Sequence, residues 1–370
     1  MKKISLAVFM FLFMVVAASV PVSAKSYEES GFRYRVVKKQ AVVTKGKVQG
    51  EQLVVPSMLG GFPVTEIGSY AFSKSNYTSI SLPASIVKIG SGAFYKCRSL
   101  TSIILPDKLK SIEENTFSDC TKLTNIQFNS RLEKIGGYAF ENCIYLKKVI
   151  LPDFVKEVGI RAFDKCYKLC SVKLSKKLRS IGAQAFSKNY ALKSISIPKH
   201  VDEVEEGAFQ KCSDLVNITF INPKTKLGKG VFLQCTSLKE AVLPKKIKNI
   251  PESVFSGCRN ISRAELPKKV AIIKAKAFYN CKSLKSIYLT SRVYAIGDQA
   301  FAESGLKNIK MNEKMQFIGN GAFRGTKIQR LNLQAKVVFI GNRVFADCTK
   351  LREIYIPASV KGINPGAFNN

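Results

Sequence analysis

The stretch Ile89-Gly-Ser-Gly-Ala-Phe-Tyr-Lys-Cys-Arg-Ser-Leu-Thr-Ser-Ile-Ile-Leu-Pro106 is one copy of a motif that recurs along most of the chain. Of the thirteen intervals between its phenylalanines, ten are 23 residues and three are 22. Such a constant period predicts a solenoid, in which each coil buries its apolar face against its neighbours. The repeated phenylalanines are Phe72, Phe94, Phe117, Phe140, Phe163, Phe186, Phe209, Phe232, Phe255, Phe278, Phe301, Phe323, Phe345 and Phe368.

The second half of the motif predicts a short strand. Ile103 and Leu105 alternate with residues 102 and 104, so the apolar pair should point inward and the other two outward. Pro106 has no N–H to donate and should end the pairing. Equivalent strands of successive coils are then expected to stack in parallel into one sheet.

The first half of the motif predicts a turn followed by a short helical segment. Gly90 is expected either to open a turn or to let two backbones pass close together. Phe94, Cys97 and Leu100 are spaced by three, as one or two helical turns would require. The predicted fold class is an α/β solenoid with a repeat of about 23 residues, a parallel sheet on one face and short helical or 3-10 turns on the other.

Residues 1–24 have the pattern of a secretory signal peptide. Lys2 and Lys3 precede an apolar run, and Val22-Ser-Ala24 offers the small residues that a signal peptidase needs. A membrane-spanning anchor is the alternative, but the cleavage-like end favours removal. We therefore expect a secreted or cell-surface protein that has no membrane anchor after cleavage.

Residues 25–66 are expected to form an N-terminal cap and a degenerate first repeat. Phe32–Val37 alternates like a strand, and Ala41–Thr44 is placed to be its hairpin partner. A solenoid needs a terminal unit that covers its first core layer. Residues 67–370 would then be the solenoid itself, whose last repeat either acts as a lid or pairs with another molecule.

The charge of the chain is strongly positive. Lys and Arg number 59 against 26 Asp and Glu, a formal net charge of +33. Such a field attracts polyanions at long range, and wall teichoic acids, acidic glycans and extracellular nucleic acid are the candidates for an exported protein. Alternatively, the excess of lysine only keeps a long solenoid soluble. No dedicated nucleic-acid motif is present.

The repeat I-G-x-x-A-F-x-x-C-x-x-L-x-x-I-x-[LI]-P resembles the leucine-rich repeats of the BspA-like bacterial surface proteins, over about residues 50–370. The resemblance implies a right-handed leucine-rich-repeat solenoid. It also implies a class of secreted and surface proteins associated with adhesion to host extracellular proteins, epithelial cells and other bacteria. It does not supply a ligand, because exposed side chains set the function of such scaffolds.

The cysteines are the most reactive side chains in the repeat. Because Asn, Ser or Thr replaces cysteine in other repeats, the position favours a small semi-polar group, and buried free thiols are the preferred interpretation. Disulfides between neighbours and a metal site are the alternatives. Cys170 lies outside the row and is expected to be exposed. Nine cysteines follow the repeated phenylalanine by three residues: Cys97, Cys120, Cys143, Cys166, Cys212, Cys235, Cys258, Cys281 and Cys348.

The sequence argues against an enzyme. The one histidine, His200, lies in a link beside Lys199 and is expected to face solvent. No motif sets it against a nucleophile and a carboxylate. The acidic cluster at residues 202–206 is typical of a solvated face. No phosphate-binding glycine loop or metal-ligand spacing occurs, so no catalytic residue, cofactor or metal is predicted.

Two surfaces are candidates for binding. The first, the basic ridge, follows the strand in each repeat and suits a linear anionic polymer. The second, the contact face, is the outward side of the strands from residue 240 onward, where large charged and aromatic residues replace small ones and favour a protein ligand. The basic ridge consists of Lys108, Arg131, Lys176, Lys177, Lys199, Lys245, Lys246, Lys268, Lys269 and Arg292, with Lys314 and Lys336. The contact face consists of Arg263, Glu265, Tyr288, Lys310, Arg330 and Tyr355.

These features together predict an exported, non-enzymatic binding protein, an adhesin or interaction scaffold with an extracellular protein or an anionic wall or glycan polymer as its partner. The alternative is a structural wall-associated protein that charge alone holds to the producing cell. Neither interpretation fixes an oligomeric state.

Overall fold

The chain winds through two parallel rows of very short strands. The structure is a computed structural model that describes residues 25–47, 49–333 and 336–369. Thirty-two strands joined by turns account for its regular structure. We name each coil by its repeated phenylalanine, so that the Phe94 coil contains one strand of each row.

The first row lies at the predicted strand positions. It contains β4 (Gln52–Val54), β7 (Ser79–Ser81), β9 (Ser102–Ile104), β11 (Asn125–Gln127), β13 (Lys148–Ile150), β15 (Ser171–Lys173), β17 (Ser194–Ile197), β19 (Asn217–Phe220), β21 (Glu240–Ala241), β23 (Arg263–Ala264), β25 (Ser286–Tyr288), β27 (Asn308–Lys310), β29 (Arg330–Asn332) and β31 (Glu353–Tyr355).

The second row, which the sequence did not predict, lies just before the repeated glycine. It contains β8 (Lys88–Ile89), β10 (Ser111–Ile112), β12 (Lys134–Ile135), β14 (Glu157–Val158), β16 (Ser180–Ile181), β18 (Glu203–Val204), β20 (Lys226–Leu227), β22 (Asn249–Ile250), β24 (Ile272–Ile273), β26 (Ala295–Ile296), β28 (Phe317–Ile318), β30 (Phe339–Ile340) and β32 (Gly362–Ile363).

Pairing within both rows is parallel and in register. In the first row Ile103 lies opposite Ile126, and in the second row Ile135 lies opposite Val158. The side chains of Ile103 and Leu105 are buried, whereas Ser102 and Ile104 are exposed, as the alternation predicts. Parallel stacking of equivalent strands is therefore confirmed, but the expected single sheet is not formed. The first row is divided into one four-stranded sheet and five two-stranded sheets.

The N-terminal strands join the second row. They are β1 (Ser26–Glu29), β2 (Phe32–Val37), β3 (Gln40–Gly46), β5 (Met58–Leu59) and β6 (Phe62–Ile67). The predicted hairpin is formed: β2 pairs with β3 in antiparallel orientation. β3 then pairs in parallel with β6, and β6 with β8. The Phe32 ring meets the first repeated ring, Phe72, edge to face at 6.4 Å. A division at residue 66 into cap and solenoid stays a prediction.

The core is an uninterrupted stack of the fourteen repeated phenylalanines. The centroids of successive rings lie 5.1–5.9 Å apart. Twelve of the thirteen pairs lie within 13° of parallel, and the planes of Phe255 and Phe278 are 27° apart. Twelve of the rings, Phe72 to Phe323, are the largest fully buried side chains of the described residues. Each coil therefore buries its ring against the two coils beside it.

The predicted helical turns are wrong, because no helix is formed in the described residues. The reason lies in the backbone on either side of each phenylalanine. In the Phe94 coil, Gly92 and Lys96 have positive φ values of 63° and 59°, and a helix cannot continue through such residues. In the other coils, the described residues two positions before and after the ring have φ of 51–75°.

The positive φ values redirect every second amide to the next coil. Phe94 N donates to Thr116 O at 2.9 Å and Lys96 N to Ser118 O at 2.8 Å. The amide between them, of Tyr95, donates within its own coil to Gly92 O at 2.9 Å. The turn side is thus bonded from coil to coil like the strand rows.

The repeated glycine allows the second row to pack closely. A Cβ built at Gly182 would lie 2.7 Å from the backbone of Gly159, and one at Gly297 would lie 2.6 Å from the backbone nitrogen of Ala275. These distances are too short for any side chain. Of the two roles predicted for this glycine, close passage of two backbones is confirmed.

The predicted signal peptide at residues 1–24 lies outside the described residues. In the part of the chain that the structure covers, we find no helix with the length and apolar character needed to cross a bilayer.

Truncating one ring should destabilise the solenoid at its centre. Phe186→Ala removes a buried ring that contacts Phe163 and Phe209, and we expect the free energy of unfolding to fall by about 3–5 kcal/mol. Chemical denaturation measures this change. Phe317→Ala is the matched control, because the Phe317 ring is exposed and its loss should cost less than about 0.5 kcal/mol. Equal losses from both variants would contradict the stacked core.

Candidate functional site

All six residues of the contact face are exposed on the outer side of the first row. Tyr288 is 80% exposed and Tyr355 is 62% exposed, and neither ring contacts another aromatic ring of the described residues. Tyr288 lies opposite Lys310 in the register and forms an isolated bridge with Glu265 on its other side. The row thus brings Glu265, Tyr288 and Lys310 together from three coils.

Ion pairs position the arginines of this face. The Arg263 guanidinium contacts Glu265, just after its own strand, and Glu240 in the preceding coil, the latter at 3.7 Å. Arg330 pairs with Glu353 of the following coil at 3.3 Å. The carboxylate of Glu265 raises the pKa of Arg263, with a smaller contribution from Glu240. The face therefore presents alternating charges held in place along the row.

The outer side of the first half is less uniform than the small residues in the sequence suggested. Val54, Ile104 and Ile150 are 65%, 67% and 47% exposed. Strand alternation already placed Ile104 outward, but an isoleucine there was not recognised as a surface residue. The outward residues before position 240 are thus a mixture of apolar, small polar and a few charged residues, including Lys148 and Lys173, whereas the tyrosines occur only after it in the described strands of this row. The small outward residues are Ser79, Ser81, Ser102, Asn125, Ser171, Ser194, Ser196, Asn217 and Thr219.

All residues of the basic ridge are exposed in the link between the two rows. Within the described ranges, Lys176 is the one ridge member with an ion pair, to Asp153 at 3.1 Å, and Lys177 lies 3.9 Å from the Phe154 ring centroid. Asp153 and Phe154 interrupt the ridge in the Phe140 coil. The longest unbroken run covers five consecutive coils, from Lys245 to Lys336.

The nine core cysteines are buried free thiols, as predicted. Each thiol donates to the carbonyl of the phenylalanine in the preceding coil, at sulfur–oxygen distances of 3.0–3.3 Å. Burial raises the pKa of Cys212 to about 12 and raises that of Cys143 as well. The row of sulfurs is therefore part of the coil-to-coil bonding and not a reactive site. Cys170 is exposed.

A family model for the BspA type leucine rich repeat region matches residues 61–170, 156–285 and 271–370, with six copies. These segments cover most of the sequence. The chain belongs to the BspA-type leucine-rich repeat family. Repeats of this class are in general non-enzymatic binding scaffolds.

Two solved structures have the same solenoid as this BspA-type chain. A leucine-rich repeat protein from Bacteroides ovatus is 28% identical, with a TM-score of 0.84, over 93% of this chain and 91% of that one. A leucine rich cell surface protein from Faecalibacterium prausnitzii is 25% identical, with a TM-score of 0.61, over 94% of this chain and 93% of that one. A comparison with curated proteins found no match.

The histidine and the acidic cluster of this BspA-type chain lie on the surface. His200 is exposed in the link, and the four carboxylates at residues 202–206 are exposed as well. Arg179 lies 3.9 Å from Asp202 across neighbouring coils. Among the described residues there is no group of His, Cys, Asp or Glu arranged to hold a metal ion.

Thiol counting tests the cysteine row. At pH 8 the folded protein should show one reactive thiol, Cys170, and the unfolded protein ten. Burial raises the pKa of the other eight core thiols, from Cys120 to Cys348, whereas the hydrogen bond with Cys120 lowers the pKa of Cys97. The eight thiols with raised pKa therefore stabilise the fold in their neutral form. That stability is complete below the ordinary thiol pKa of about 8.5 and is lost as the pH rises towards the raised values. A thiol-reactive chromophore, with and without denaturant, gives both counts.

Cys170→Ser is the control for this count and should reduce the number of reactive thiols in the folded protein to zero. Fewer than ten thiols in the unfolded wild-type protein would reveal disulfides and contradict the free-thiol row.

Proposed function

We propose that this BspA-type protein is an exported, non-enzymatic binding protein that recognises a protein ligand through its contact face. The observation behind the proposal is the exposure of Tyr288 and Tyr355 on a row that also presents Lys310 and Arg330. Tyrosine and arginine are enriched among the residues that dominate binding energy. Rigid strands hold these side chains at fixed spacing, so little conformational entropy is lost when a ligand docks.

The charges of the contact face suit a ligand of mixed charge. Arg263 lies between Glu240 and Glu265, and Arg330 lies beside Glu353. Exposed ion pairs of this kind contribute about 0–1 kcal/mol to stability, so a ligand can replace them at little cost. They nevertheless keep each guanidinium on the outer side of the row, ready to meet a carboxylate of the ligand.

The proposed location is the cell surface or the surrounding medium. The signal-peptide pattern of residues 1–24 supports export. The similar Faecalibacterium prausnitzii protein is described as a cell surface protein, which supports the same location here.

Paired substitutions test the contact face. Arg263→Ala combined with Tyr288→Ala should weaken capture of a host extracellular protein at least tenfold, because both proposed anchor side chains are lost. Ser102→Ala combined with Ser194→Ala is the control, since it changes the same face in the first half of the solenoid. Binding to immobilised serum and matrix proteins, followed by titration of the captured ligand, gives the affinities. Equal affinities for the two double variants would contradict the proposed face.

We propose further that the basic ridge binds an anionic polymer. Its five-coil run from Lys245 to Lys336 supports this, because stacked coils place successive cations about 5 Å apart, a spacing suited to a linear chain of anions. The same observation favours a second candidate function, a wall-associated protein retained on the producing cell by charge. Release of the native protein from cells by high salt would favour retention, whereas recovery from the medium with a captured host ligand would favour adhesion.

Salt titration tests the ridge. Replacing Lys245, Lys246, Lys268 and Lys269 by alanine should lower the slope of log affinity for heparin against log salt by roughly 3, because four contacts between cations and sulfates are lost. Alanine at Lys147, Lys193, Lys239 and Lys285 removes the same charge before the first row and should leave the slope nearly unchanged. Equal slopes for the two variants would contradict a localised ridge.

A further inference from the structure

A groove of about 560 Å³ crosses five coils on the turn side of the solenoid. It lies before the first row in chain order, whereas the basic ridge lies after that row. It is therefore separate from both proposed binding surfaces. Its lining consists of Tyr190, Lys211, Ser213, Gln234, Thr236, Gly257, Arg259 and Asn280.

The groove exists because a glycine and two small residues stand where other coils have longer side chains. Two residues after the repeated ring, successive coils present Lys211, Gln234, Gly257 and Asn280, so that the glycine leaves a gap in a column of long side chains. Four residues after the ring, Ser213 and Thr236 are small and lie between Tyr190 and Arg259 in the coil order. The small residues form the floor, and the larger ones form the ends and one wall.

The groove contains polar groups without partners. In the described part of the chain, the side chains of Lys211, Gln234 and Asn280 make no hydrogen bond or ion pair, and the Arg259 guanidinium makes none either. No Asp or Glu belongs to the lining, so the two cations face no carboxylate within it.

An aromatic platform closes one end of the groove. The Tyr190 ring is 42% exposed and stacks on Tyr167 of the preceding coil, with centroids 5.1 Å apart and planes within 6°. The stack fixes the orientation of the ring. On the floor, the Ser213 and Thr236 hydroxyls donate to backbone carbonyls at 3.4 and 3.3 Å, which leaves their oxygens free to accept hydrogen bonds.

We propose that this groove binds an acidic oligosaccharide that contains uronic acid. A sugar ring has one apolar face of C–H groups, which packs on an aromatic ring such as Tyr190. Its hydroxyls match the unpaired amides and the hydroxyl acceptors, and its carboxylate pairs with Lys211 or Arg259. An acidic peptide would use the cations alone, whereas the amides, hydroxyls and oriented ring together match a carbohydrate.

Binding of two uronic-acid oligosaccharides, a hyaluronan hexasaccharide and a galacturonate hexamer, tests the proposal by calorimetry. At least one should bind the wild-type protein more tightly than hexaglutamate does. Gly257→Asn should fill the gap and weaken that binding at least tenfold, and Tyr190→Ala should do the same by removing the platform. The fold accepts Asn at this place, since Asn142 and Asn280 occupy it in other coils with φ of 60° and 57°.

Gly325→Asn is the matched control. Gly325 has the equivalent place in the Phe323 coil, with φ of 66°, but lies outside the groove. Its substitution should leave the affinity unchanged, as should alanine at Lys245, Lys246, Lys268 and Lys269 in the basic ridge. The affinity should also persist at 0.5 M salt within about tenfold, since hydrogen bonds and stacking contribute to it.

The proposal is overturned if neither oligosaccharide binds, if hexaglutamate binds as tightly as both, or if Gly257→Asn and Gly325→Asn behave alike. Loss of binding in the ridge variant instead would assign the oligosaccharide to the basic ridge and also overturn it. None of these results bears on capture of a protein by the contact face, which Arg263→Ala and Tyr288→Ala test separately.

Discussion

The structure depends on one constraint: every coil must satisfy its backbone and bury its aromatic ring through the two coils beside it. A coil of 22 or 23 residues is too short to enclose a core of its own. Each coil therefore forms hydrogen bonds to its neighbours at three places around its phenylalanine ring. These places are the first row, the second row and the turn. The turn contributes because left-handed residues direct alternate amides to the next coil, and the cysteine thiols add a bond to the phenylalanine carbonyl.

This arrangement separates stability from recognition. The inward residues of each coil are nearly invariant along the chain because each must match its neighbour, whereas the outward positions are free to vary from coil to coil. Three outer columns differ in character: the groove side before the first row, the contact face on that row, and the basic ridge after it. Each column has one residue or two per coil, so a candidate binding surface needs several consecutive coils that change together, and the residues from Glu240 to Tyr355 are such a series.

The sequence predicted most of the strand side and misjudged the turn side. The alternation at Ile103 and Leu105 and the fixed period were sufficient for the first row, and the phenylalanine period was sufficient for the core. The spacing of Phe94, Cys97 and Leu100 suited a helix, but periodicity does not report the sign of φ. The sequence nevertheless contains a sign of the positive φ values. No Val, Ile or Thr occurs two residues before or after any repeated phenylalanine, and β-branched residues are disfavoured at positive φ.

The exposure of the candidate surfaces could also be predicted from the sequence, since alternation placed Tyr288 outward and the proline-containing links placed the ridge in solvent. The groove could not be predicted from the sequence. It depends on a glycine of one coil lying beside the small residues of two others, and such neighbours become visible only when the coils are aligned in space. The pairing of Arg263 with two glutamates was hidden for the same reason.

The thiol, amide and ring contacts of a coil join it only to the two neighbouring coils. This has a consequence for how such chains can change in evolution. A gene for such a chain can gain or lose whole repeats by unequal crossing-over without disturbing the distant coils. Each event would shift an outer surface by one strand relative to the N terminus while leaving its internal spacing intact. Variation in length is thus a route by which related chains can place the same outer surface nearer to, or farther from, the N terminus.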